Sequence, residues 1–212
     1  MTARLLLPLL AASLVAACTP EQDTAAGETP APRVVIETAH GGIVVELYPD
    51  RAPATVENFL AHAGGGVFDG GAFYRSVRDD NEREDVEPMN LIQGGYSFDG
   101  LPDAAGIAHE TTAMTGLTHR RGAISMARNE PGTATTEFFI MVNDYPGLDS
   151  GPGTRNPDEA GYAVFGQVVE GMDVVERIWL SETSADTAPE DFAYPQFLVE
   201  PVAITQVRVQ AP

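Results

Sequence analysis

Five short blocks between residues 73 and 165 limit what this chain can fold into. They are Phe73-Tyr74-Arg75, Leu91-Ile92-Gln93-Gly94-Gly95, Gly122-Ala123-Ile124-Ser125-Met126-Ala127, Glu137-Phe138-Phe139-Ile140 and Val164-Phe165-Gly166. Each is short and apolar, with aromatic or β-branched residues, and reads as a strand. Two more β-rich runs, Val34 to Thr38 and Ile43 to Leu47, are joined around His40-Gly41-Gly42, a hairpin signal. Val202 to Val209 reads as a closing strand. Only two segments carry helical spacing. The first opens at Asp50 and Pro53, places Val56, Phe59, Leu60 and Ala63 on one face, and stops at Gly64-Gly65-Gly66. The second runs from Gly171 to Trp179, with Asp173 placed to cap it and Val174, Val175 and Ile178 facing inward. Many strands with one early and one late helix predict a mainly β fold, a closed antiparallel barrel with two capping helices.

Together the blocks set one fixed cation, Arg75, among apolar residues on several strands. That suits a neutral, partly apolar ligand such as a prolyl peptide. In order and wording the blocks resemble the cyclophilin family of peptidyl-prolyl isomerases, and the resemblance spans most of Arg33 to Val209. It implies a cyclophilin-like barrel and isomerisation of X-Pro bonds without metal or cofactor. By residue-wise resemblance Arg75 is the catalytic cation, and Gln93 orients it or holds the substrate backbone. Leu91, Phe139 and Leu148 wall the proline pocket, while Ala127 and the backbone of Arg128 line the groove. Phe73, Glu137 and Tyr162 complete the expected substrate-binding set. Rotation about an X-Pro bond meets a barrier of about 18–20 kcal/mol because the nitrogen lone pair is delocalised. A permanently charged, planar guanidinium that donates to the nitrogen favours the twisted state.

The chain departs from the family at four positions. Asn90 replaces a pocket Phe, Glu137 a Gln, Gly147 a residue that is often aromatic, and Tyr162 a His. Asn90 and Gly147 are expected to open the pocket, and Glu137 to stand beside Arg75. Relative to a minimal member, residues 78–88, 150–160 and 181–195 look inserted.

The remaining readings concern location and partners. Arg4 precedes an apolar run from Leu5 to Ala17 that is too short and too interrupted for a comfortable membrane span. Leu14-Val15-Ala16-Ala17-Cys18 resembles a bacterial lipobox, and Cys18 is the sole cysteine, so no disulfide within the chain can form. The expected organisation is a lipoprotein signal peptide at 1–17, a flexible tether at 18–32 with Cys18 lipidated, and an isomerase domain at 33–210. Thr19 after the cysteine points, by resemblance, to an outer-membrane anchor in the periplasm. There are 31 acids against 12 bases, every base is Arg, and the formal charge is −19. That balance argues against nucleic acid and anionic lipid as partners. The expected partners are proline-containing polypeptides, unfolded exported proteins among them, with membrane contact through the lipid alone and a monomeric state. The four histidines show no metal spacing, and His119-Arg120-Arg121 reads as a basic surface turn.

Overall fold

A computed structural model describes residues 31–210 except 83, 85, 191 and 193. The lipobox and most of the expected tether lie outside the described residues. Nine strands form one sheet: β1 (Arg33–Thr38), β2 (Gly41–Leu47), β3 (Ala72–Val77), β4 (Leu91–Gly95), β5 (Ala123–Met126), β6 (Phe138–Met141), β7 (Ala163–Glu170), β8 (Thr183–Ser184) and β9 (Phe197–Gln210). Their order is β1-β2-β7-β5-β6-β4-β3-β9-β8, and β9 also pairs with β1. That last pairing closes an eight-stranded antiparallel barrel and leaves the two-residue β8 as a flap on β9. Closure removes the exposed strand edges that an open sheet would present.

The two expected helices are present as α1 (Pro53–Gly64) and α3 (Met172–Trp179), and a third, four-residue helix α2 (Thr112–Thr115) joins them. Helix α1 packs against β7 and β9, and α3 against β2, β3 and β4. Phe59 drives the docking of α1. Its ring is fully buried and meets Phe68, Phe138 and Phe165 with centroids 5.1, 5.5 and 5.1 Å away. Burial of such a side chain stabilises the fold by about 2–3 kcal/mol.

Helix α1 begins at Pro53, as the sequence suggested, but the caps of both helices differ from what their sequences offer. The residue before α1 is Ala52, which has no capping side chain. The free amides of Ala54 and Thr55 instead donate to the carboxylate of Glu110, at 3.1 and 2.9 Å, and the Thr55 hydroxyl donates to it at 2.7 Å. A carboxylate at this end also complements the helix dipole. Asp173 does not cap α3, because the preceding position is Gly171 at φ 88°; it sits in the first turn and pairs with Arg177 at 3.5 Å. Strand β9 starts at Phe197, five residues before the expected Val202, because its first part must pair with β3 before its second part reaches β1.

The apolar residues divide by strand alternation into two clusters. Phe73, Ile92, Ile124, Phe138, Ile140 and Phe165 fill the barrel. Val77, Leu91, Phe139, Met141, Tyr145 and Leu148 form a second cluster with outward-facing strand residues at its centre. That outer cluster is the floor of the site.

Candidate active site

Strand register assembles the site. Arg75 on β3 faces Gln93 on β4, Gln93 faces Phe139 on β6, and Phe139 faces Ser125 on β5. On the other side Arg75 faces Phe197 on β9. A cation, an amide and an aromatic ring therefore stand in one row across adjacent strands. Phe73 does not belong to it. The register shifts between Phe73 and Arg75, so these two residues do not share a face as simple alternation would require. Phe73 is fully buried and its ring meets Phe138 inside the barrel at 5.8 Å, a correction to its expected substrate contact.

Arg75 is half-buried and held by two neutral carbonyls. Its Nη1 donates to Gln93 Oε1 at 2.7 Å, and its Nε and Nη2 donate to Gln196 Oε1 at 3.0 and 2.6 Å. A guanidinium carries five N–H donors. Among the described residues these three bonds leave two for a ligand. Burial pushes the Arg75 pKa down, and Glu82 is the largest influence that opposes it. The guanidinium nevertheless stays protonated at neutral pH. The ring of Phe192 covers it, with Cζ 5.0 Å from the centroid.

Glu137 is not beside Arg75. It reaches the arginine through two other side chains. Gln93 donates from Nε2 to Tyr74 Oη at 3.1 Å, and Tyr74 donates to Glu137 Oε2 at 2.6 Å. Glu137 Oε1 accepts from the Thr136 hydroxyl and the Ser97 amide at 3.0 and 3.2 Å. This order leaves Gln93 one orientation, with its carbonyl toward Arg75. Burial raises the Glu137 pKa above its ordinary value, and burial followed by the Glu137 charge raises that of Tyr74. Gly95 makes the arrangement possible, because a Cβ there would lie 2.6 Å from the Glu137 carboxylate.

A cavity of about 200 Å³ lies against this row. Leu91, Phe139, Leu148 and Tyr162 line it, with Ala127, Arg128, Arg75 and Gln93. The sequence-based set is thus brought together except for Phe73, inside the barrel; Glu137 lines an adjoining pocket of about 420 Å³ that shares Gln93, Phe98, Ala127, Arg128 and Asn129 with the cavity. The Arg128 side chain is only 1% exposed; it bonds to Asp158 at 2.7 Å and to the Gly161 carbonyl. It also stacks on Tyr162 at 5.2 Å. Residues missed by sequence reasoning also line the cavity: Met89, Phe98, Asn129 and Phe192.

The opening expected at Gly147 is closed. A Cβ on Gly147 would lie 2.7 Å from the Tyr145 ring, so Tyr145 fills that space and anchors by donating to the Glu87 carbonyl at 3.0 Å. Asn90 is buried, its Oδ1 has no hydrogen-bond partner among the described residues, and its neighbours Met89 and Leu91 face the cavity. His119 is not at the surface. It is 1% exposed and stacks on Phe139 at 5.8 Å. Its Nδ1 meets Asp149 at 2.7 Å and its Nε2 meets Ser125 Oγ at 3.1 Å. This Ser-His-Asp order resembles a nucleophilic triad, but Ser125 is fully buried and no substrate can reach it. The trio braces Phe139 and the turn that carries Leu148. Among the described residues no cluster of three or more His, Cys, Asp or Glu could hold a metal ion, and no helix is long and apolar enough to cross a membrane.

Residues of the three stretches 78–88, 150–160 and 181–195 contact one another near Arg75. Arg155 pairs with Glu82 at 2.7 Å. Arg78 donates to the carbonyls of Trp179 and Ser181, both at 2.9 Å. Gln196, directly after the third stretch, donates to the Asn81 carbonyl at 3.1 Å in the first.

Comparison with known proteins agrees with this geometry. Residues 33–208 match a family model described as cyclophilin type peptidyl-prolyl cis-trans isomerase/CLD. The chain is 35% identical over 178 residues to the peptidyl-prolyl cis-trans isomerase cyp18 of Streptomyces antibioticus, covering 83% of this chain and 97% of that protein. It is 34% identical over 178 residues to peptidyl-prolyl cis-trans isomerase B of Escherichia coli K12, covering 82% and 99%. Among solved structures, a cyclophilin type isomerase of Cryptosporidium parvum superposes with a TM-score of 0.64 at 20% identity, covering 86% of this chain and 99% of that one. The same protein determined in the presence of the dipeptide Ala-Pro gives 0.63, covering 85% and 99%.

Proposed function

The chain belongs to the cyclophilin-type peptidyl-prolyl cis-trans isomerase family, and on that premise we propose that it isomerises X-Pro bonds of unfolded exported proteins through Arg75. The proline ring sits against Leu91, Phe139, Leu148 and Tyr162. One of the two available N–H groups of Arg75 donates to the lone pair of the prolyl nitrogen as it becomes pyramidal. The C–N bond then loses its double-bond character and the barrier falls. Gln93 and Gln196 aim the guanidinium before substrate arrives, so little reorganisation is needed in the twisted state. No proton is transferred and no covalent bond is made or broken.

The observation that carries this reading is a guanidinium that keeps two donors unused among the described residues, on the wall of a cavity lined mainly by apolar side chains. Cis–trans exchange of a short Xaa-Pro peptide, followed by NMR with the full chain, tests it. Wild type should accelerate exchange, and Arg75→Ala should lose about 10²-fold of the rate, the scale of one preorganised donor. No acceleration by folded wild type would overturn the reading.

The residues 14–18 further support an exported protein that is lipidated at Cys18, tethered to the outer membrane and acting in the periplasm. Such a site meets newly exported chains whose X-Pro bonds isomerise in tens to hundreds of seconds. Cys18→Ser should abolish incorporation of labelled palmitate and release the protein into the soluble periplasmic fraction. Unchanged labelling would refute lipidation at that residue.

A further inference from the structure

The cavity has two aromatic walls. Phe139 and Tyr162 form one, meeting edge to face at 5.3 Å and 89°. Phe98 and Phe192 form the other, meeting edge on at 6.1 Å, and both rings pack on Phe197 at 5.0 Å. The first wall is the one that the isomerase reading gives to the proline ring. The second lies outside every block that suggested the family. Phe98 follows the end of β4 at Gly95, and Phe192 belongs to residues 181–195, which look inserted relative to a minimal member.

Their placement matters because of Arg75. Guanidinium donors point outward in the plane of the group, and Arg75 Cζ lies over the Phe192 ring, 5.0 Å from its centroid. A peptide nitrogen that accepts from the edge of the guanidinium therefore passes beside the Phe192 ring. The side chain next to the proline is then carried along that wall. Phe98 is 38% exposed and Phe192 half-buried, so both rings keep apolar surface that a ligand can cover. Phe98 also borders a larger outer groove of about 590 Å³, which continues the apolar surface away from the cavity.

We propose that Phe98 and Phe192 form a second apolar subsite that receives the side chain adjacent to proline, so that the enzyme selects segments with a large aliphatic or aromatic residue there. This rests on the isomerase reading above. Apolar contact of this kind discriminates by about 10–200-fold per methylene-scale difference at best. A half-open wall should give less.

The experiment compares kcat/KM of the full chain on short peptides with Leu, Phe, Gly or Asp immediately before proline, and on a matching set with the variation immediately after it. Wild type should favour Leu and Phe over Gly and Asp at least fivefold at one of the two positions. Phe192→Ala and Phe98→Ala should each bring that ratio to within about twofold of unity, and Phe192→Leu should keep most of it. Circular dichroism reports whether each variant is folded. Equal wild-type rates on all peptides would overturn the proposal, as would a ratio that survives both alanine variants. A uniform fall in rate with the ratio intact would likewise overturn it and leave Phe192 as support for Arg75 alone. If wild type turns over no peptide, the isomerase reading fails separately, and NMR titration with the same peptides decides the subsite by the ratio of their affinities.

Discussion

Side chains set the direction of the cation, and one carboxylate stands at the far end of the series that does so. Glu137 accepts from Tyr74, Tyr74 accepts from Gln93, and Gln93 accepts from Arg75. Glutamine at 137 could still accept from Tyr74, but its amide nitrogen would then face the Thr136 hydroxyl and the Ser97 amide, which now donate to an oxygen. Glu137→Gln should therefore change the isomerisation rate several-fold in exchange NMR. The burial of Glu137 adds a pH signature. Its folded pKa lies above the ordinary 4.5, so it takes up a proton at a higher pH than an exposed carboxyl does. The wild-type rate should show an acid limb above pH 4.5 that Glu137→Gln lacks. Identical profiles would disconnect Glu137 from Arg75. The resemblance put this carboxylate against the arginine, because it transfers a position along the chain and is blind to which neighbours, here Gln93 and Tyr74, stand between the two side chains. The irregular register at Tyr74 hid the inward turn of Phe73. His119 was misread for another reason: two arginines follow it, and chain neighbours say nothing about Asp149 and Ser125, which reach it through the fold.

Elements were more legible than their connections. Strands β3 to β7 follow from short apolar runs, and both longer helices from their spacing. What caps α1 did not follow, since Glu110 lies more than fifty residues beyond it in the chain. Glu110→Ala should cost about 1–2 kcal/mol of unfolding free energy by removing three hydrogen bonds and a charge at the helix N-terminus. Urea titration measures this, and a midpoint equal to wild type would mean that water replaces the cap without loss. Residues 181–195 carry acids, prolines and no period, so nothing in their pattern announced Phe192, and the buried Gln196 follows directly after them. Their roles depend on where the segment lands, beside Arg75. That landing is set by contacts with residues 78–88, including the Gln196–Asn81 bond.

At the scale of the whole molecule, stability should depend on pH through His119. Burial lowers its folded pKa below the ordinary 6.5, and the Asp149 interaction opposes that only in part. Below 6.5 the unfolded chain binds the proton more readily than the folded one. Stability is therefore held above that value and lost as pH falls through the lower folded value. A thermal or urea midpoint that drops over this window in wild type, but less in His119→Phe, would confirm the assignment. A window unchanged by the substitution would place the titration elsewhere. Barrel closure has another consequence. Arg33 on β1 pairs directly with Gln210 on β9, so the polypeptide enters and leaves this domain at one seam. Around the barrel, β6 lies four strands from β1 in either direction. A leash attached before Arg33 would thus pull on the wall farthest from Phe139. A long client could lie across the working face without threading past the attachment, and a passenger joined after Gln210 would hang at the back with the leash.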